Sequence, residues 1–111
     1  KVRELDFNAF KETPENYTIV DVRNPSETKN GNIFINALNI PLYELRERAN
    51  EIPVDKPVVV YCAGGYRSAA ASSIISRELE GVTAYDLGEK IKEFEKSDSD
   101  NAPYQINNMK E

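Results

Sequence analysis

The stretch VVVYCAGGYRSAAASSI, Val58 to Ile74, decides how the chain is read. It opens on a β-branched apolar run without polar alternation, the pattern of a strand buried on both faces. After Gly64 and Gly65, residues Arg67 to Glu80 contain neither Gly nor Pro. Within them Ala71, Ile75 and Leu79 step by four along one face, which predicts a helix closed by Gly81. A central strand thus feeds a helix through a short loop, and the only cysteine of the chain, Cys62, sits at the junction.

Working outward, the same alternation recurs. YTIVDVR (Tyr17 to Arg23) reads as a second buried strand, followed by NPSE (Asn24 to Glu27) with Pro25 suited to a first helical turn. NIFINALNIPL (Asn32 to Leu42) holds a short strand closed by Pro41. Leu42, Leu45, Ala49 and Ile52 then mark an amphipathic helix with charges in the gaps. VTAYDL (Val82 to Leu87) is a further strand, and Leu87, Ile91 and Phe94 mark a last helix. Near the amino end, Val2 to Leu5 fits an edge strand, and Phe7 and Phe10 a brief helix before Pro14. Residues 1–96 therefore form one domain, and 97–111 lose periodicity and read as a loose tail. Strands alternating with helices predict an α/β fold, a mostly parallel sheet covered on both faces. Ligands of such sheets bind beyond the carboxyl ends of the strands, where Cys62 lies.

Composition narrows the chemistry. With 111 residues and a hydrophobic fraction of 40%, the chain suits a single core. The net charge is −5, and no dense Lys/Arg patch offers a nucleic-acid face. Apolar runs fall far short of the ~20 residues of a membrane span, and no signal-peptide pattern precedes the first strand. One cysteine closes no internal disulfide, so a reducing compartment, the cytoplasm, is expected. Histidine is absent, which removes the usual general base, any Cys-His dyad and Cys/His zinc sites; no metal and no cofactor are expected. The chain opens on Lys1, which leaves processing and excision from a longer polypeptide both open.

A thiol of pKa near 8.5 is only about 3% ionised at pH 7. Lowering that pKa to about 6.5 requires about 2.7 kcal/mol of preferential stabilisation of the anion. The loop offers three sources: a helix beginning near Arg67, the Arg67 guanidinium, and main-chain N–H groups that Gly64 and Gly65 allow to turn inward. A Cys ending a buried strand also fits a small inert core residue, and Gly-Gly a tight connection. The conjunction of strand end, Cys, Gly-Gly, Arg and helix onset favours the reactive reading.

Four motifs in order resemble the rhodanese-like sulfurtransferase family: DVRNPSE (Asp21 to Glu27), ALNIPL (Ala37 to Leu42), VVYCAGGYRSA (Val59 to Ala69) and YDLGEKIKEF (Tyr85 to Phe94). The resemblance implies a central parallel five-stranded sheet flanked by helices on both faces. It implies that Cys62 takes a sulfane sulfur from a small donor (thiosulfate, a polysulfide or a low-molecular-weight persulfide) and passes it to an external thiol or protein acceptor. Carried over by position, Ala63, Gly64, Gly65, Tyr66, Arg67 and Ser68 form the loop whose amides cradle the outer sulfur. Asp21, Arg23 and Glu27 match a supporting motif. Arg23 and Glu27 are expected to form an ion pair beneath the site, while Asp21 either faces the pocket or caps the following helix. Asn32 and Asn36 stand where many relatives carry His and Gly, and Phe94 where they carry Trp.

Two other readings stand beside this one. A cysteine phosphatase or arsenate reductase wraps a larger oxyanion, commonly with five residues between Cys and Arg; here four separate Cys62 from Arg67. A non-catalytic rhodanese-like docking or regulatory module of a larger protein, for instance one fused to a metallo-β-lactamase-type domain, usually lacks the Cys or the Arg, and both are present here.

Overall fold

The computed structural model describes residues 5–29 and 31–98. The chain runs α1 (Phe7–Glu12), β1 (Thr18–Asp21), α2 (Pro25–Thr28), β2 (Leu38–Asn39), α3 (Leu42–Arg48), β3 (Val58–Tyr61), α4 (Tyr66–Glu78), β4 (Ala84–Asp86) and α5 (Ile91–Asp98). Short 3-10 turns at Pro14–Asn16, Ala49–Glu51 and Gly88–Lys90 complete the described elements. The strands form one sheet in the order β2-β1-β3-β4, with all three pairings parallel. The α/β architecture is the one expected. Four strands are present among the described residues rather than five. The proposed edge strand Val2 to Leu5 falls mostly on residues outside the description, and Leu5 itself lies in no strand.

Parallel strands need long crossovers, and these put helices on both faces. Side chains alternate along each strand, so the two faces divide cleanly. Ile19, Val59 and Tyr61 join Phe10, Phe34, Ile91 and Phe94 in one core layer. Val20, Val22, Val58, Val60 and Cys62 join Leu45, Ile52, Ala71 and Ile75 in the other. The first layer is aromatic: Phe94 meets Phe34 at 4.9 Å and Phe10 at 5.8 Å between ring centroids. All four residues of β3 are fully buried. Removing each such side chain from water contributes about 1.5–3 kcal/mol, which makes β3 the anchor of the sheet.

Two features position the Cys62 loop. The connections leaving β1 and β3 run in opposite directions, so a crevice opens beyond the carboxyl ends of these neighbours. Helix α4 starts at Tyr66 and ends at Glu78, with Leu79 as its C-cap and the turn through Gly81 at φ +83°. Helix α5 reaches Asp98, two residues past the boundary expected at 96; residues 99–111 of the expected tail lie outside the described residues. No helix among the described residues is long and apolar enough to cross a membrane.

Candidate active site

Cys62 is the first residue after β3, and alternation turns its side chain toward the α3–α4 layer. The residue is 1% exposed, yet its sulfur is not sealed in hydrocarbon. The Gly65 N–H donates to Sγ at 3.0 Å and the Ser68 N–H at 3.3 Å. Both donors belong to the start of α4, where the first N–H groups of a helix have no carbonyl partner and the dipole favours negative charge. Gly65 is the N-cap and makes this turn possible with φ +107°, a region side chains rarely enter. A Cβ placed there would also lie 3.3 Å from the Gly88 carbonyl carbon, so the turn at Gly88–Lys90 closes over the back of the loop. Gly88 is a site-shaping residue that sequence reasoning missed; its signal was the glycine in YDLGEK.

Burial pushes the Cys62 thiol up, but hydrogen bonds from the Ser68 hydroxyl and from the N–H groups of Gly65, Ser68 and Gly64 outweigh it, leaving the pKa below the ordinary thiol value. The Ser68 hydroxyl has one proton: it donates to the Gly65 carbonyl at 3.2 Å or gives up that bond to reach the sulfur. Ser68 is itself fully buried, so its place in the cradle is fixed by packing. Ala63 and Gly64 are half-buried, whereas Tyr66 is 91% exposed and points its ring into solvent at the rim.

The supporting residues are paired differently from expectation. Arg23 does not bridge to Glu27. Its guanidinium holds Asp21, with Nε–Oδ1 at 3.0 Å and Nη2–Oδ2 at 2.8 Å. Asp21 neither faces the Cys62 side nor caps α2: it is fully buried, and its Oδ1 also accepts the Arg23 main-chain N–H at 3.0 Å. Alternation explains this, because Asp21 lies opposite Tyr61 in the register and shares its face, away from Cys62. The Arg23 guanidinium lies 5.8 Å from the Tyr61 ring centroid, which adds a cation–π contact.

Glu27 reaches across to the Cys62 loop instead. Its two oxygens accept from both terminal nitrogens of Arg67, at 2.7 and 3.0 Å. Oε1 also accepts the Asn24 N–H at 2.7 Å, so the carboxylate is held from its own helix as well. The Arg67 hydrogen bond, helped by the Asn24 N–H and by the charges of Arg67 and Arg23, brings the Glu27 pKa down to about 2. The guanidinium expected to stabilise the Cys62 anion is therefore committed to a carboxylate. The sulfur is served chiefly by main-chain N–H groups and the Ser68 hydroxyl.

The rhodanese-like domain family matches residues 6–97 of the chain. A protein of Allochromatium vinosum described as a sulfurtransferase is 34% identical over 80 residues, 69% of this chain and 74% of that protein. The uncharacterized protein YqhL of Bacillus subtilis is 44% identical over 59 residues, 53% of this chain and 46% of that protein. Among solved structures, a rhodanese-related protein from Thermoplasma volcanium superposes with a TM-score of 0.68 at 34% identity, covering 85% of this chain and 92% of that one. The chain thus spans less than half of the Bacillus protein and about three quarters of the Allochromatium one.

Proposed function

This chain belongs to the rhodanese-like domain family, and from that premise we propose that it is a sulfurtransferase working through a persulfide on Cys62. The observation that carries the reading is the pair of N–H groups, from Gly65 and Ser68, aimed at Sγ. The Cys62 thiolate attacks the outer sulfur of a donor R–S–SH. A new S–S bond forms, the donor's own S–S bond breaks, and RS⁻ departs with the electron pair. The enzyme then holds Cys62–S–SH, which ionises readily. An external thiolate attacks that outer sulfur and Cys62 leaves as thiolate, restoring the start. With thiosulfate as donor, sulfite is the leaving group. Neither half needs a general base once the thiol is ionised, which suits a chain without histidine.

The chain holds one cysteine, so the acceptor comes from outside; a small-molecule donor and a thiol or protein acceptor are the proposed partners, in a reducing compartment such as the cytoplasm. The catalytic unit is residues 1–96, with no cofactor. Intact-mass spectrometry after thiosulfate or polysulfide treatment tests this: a gain of one sulfur is expected, absent in Cys62→Ser. The 1% exposure of Cys62 supports one second reading, a non-catalytic docking module of a larger protein, and failure of every sulfane donor to add sulfur would establish it over transfer. The phosphatase reading loses support, because the arginine that would grip an oxyanion is engaged with Glu27.

A further inference from the structure

Glu27 and Arg67 meet as a two-pronged pair, 2.7 and 3.0 Å, between residues 40 apart in the chain. The pair is partly sheltered, with side chains 31% and 32% exposed, and Glu27 is fixed a second time by the Asn24 N–H. A planar guanidinium facing a carboxylate in this way has spent the fork geometry that would otherwise grip a sulfonate or phosphate. The other arginine near these strand ends, Arg23, is spent likewise on buried Asp21. Arg67 sits between Gly65 and Ser68, whose N–H groups donate to the sulfur.

We propose that Glu27 sets the charge class of the sulfur donor: by masking Arg67 it disfavours dianionic thiosulfate and suits the site to donors carrying at most one negative charge, such as organic persulfides. The inference rests on the sulfurtransferase reading of Cys62. Its physical basis is a count of charges. The reaction brings a thiolate against the donor; thiosulfate adds two further negative charges, and the nearby guanidinium contributes no net positive charge while Glu27 holds it. Removing the Glu27 charge leaves Arg67 an unpaired cation in the loop that supplies the N–H donors to the sulfur.

The test compares thiosulfate, a dianion, with methanethiosulfonate, a monoanion. Both deliver a sulfane sulfur to the Cys62 thiolate, releasing sulfite and methanesulfinate respectively, so the charge balances in each case. Persulfide formation is timed by mass spectrometry in the wild-type protein and in Glu27→Gln, which keeps an acceptor for the Asn24 N–H. Comparing variants cancels the intrinsic difference between donors. The expected result is a thiosulfate rate raised about tenfold in Glu27→Gln and a methanethiosulfonate rate raised only about threefold, since the monoanion feels half the Coulomb energy of the dianion. Arg67→Lys, which keeps the charge but cannot fork, loosens the pair from the other side and should shift the donor ratio in the same direction. Thermal melts of both variants report their folding. A protein that transfers sulfur with the same donor ratio in all three forms overturns the inference and leaves the proposed activity standing. If no form takes sulfur from either of these donors or from an organic persulfide, the sulfurtransferase reading falls and this inference with it.

Discussion

Gly64 and Gly65 stand side by side in the loop, yet only one of them is irreplaceable. Gly65 has φ +107° and the Gly88 backbone 3.3 Å from where a Cβ would go; Gly64 has nothing within 4 Å and no left-handed φ. Gly65→Ala should lose about 1–3 kcal/mol in urea denaturation, because the strained turn has no room to relax. Gly64→Ala should stay within about 0.5 kcal/mol of the parent. Ser68 offers a separate test of the thiol. Ser68→Ala removes the hydroxyl and keeps the N–H, so the midpoint of the Cys62 alkylation–pH profile should move up toward the ordinary thiol value. The linkage has a definite sign. A thiol whose folded pKa is depressed contributes stability above its unfolded pKa, and that contribution is lost as pH falls through the folded value. Ser68→Ala should therefore flatten the rise in stability on the alkaline side; an unmoved alkylation midpoint would show that the amides alone set the pKa.

The elements were legible from periodicity because each obeys a single strong rule. The β3 run has no polar alternation, the α4 face steps by four, and Pro25 opens α2. The loop was legible too, since a strand end and a helix start leave little freedom for the residues between. What pattern could not supply was the pairing of carboxylates with arginines. Asp21, Arg23 and Glu27 fall within seven residues, and which charge meets which depends on the face each side chain takes and on what α4 brings across the sheet end. The motif suggests Arg23 with Glu27; the pleat gives Asp21 to Arg23 and leaves Glu27 for Arg67. The Asp21–Arg23 tie is the costlier to break, because Asp21 has no access to water. Arg23→Ala should lose about 3–5 kcal/mol, as an uncompensated buried carboxylate does, measured by chemical denaturation. A loss below about 1 kcal/mol would mean that other partners satisfy Asp21.

Across the whole molecule, the order β2-β1-β3-β4 sends the chain one way from β1 and the other way from β3. That divergence sets segments 21–27 and 62–68 side by side although they are far apart in sequence. The parallel direction of the strands could be inferred from the crossovers; their order in the sheet could not. The strand count could not, because an edge strand buries little and leaves a weak trace in composition. The seating of the lone thiol bears on how the protein can be handled. Joining two copies through sulfur requires their atoms to approach to about 2.05 Å, and a thiol 1% exposed beneath its own loop cannot meet its twin across two folded surfaces. Aerated solutions should therefore show no covalently linked pairs on a non-reducing gel, whereas the same chain in urea should couple readily; the fold itself acts as the preservative.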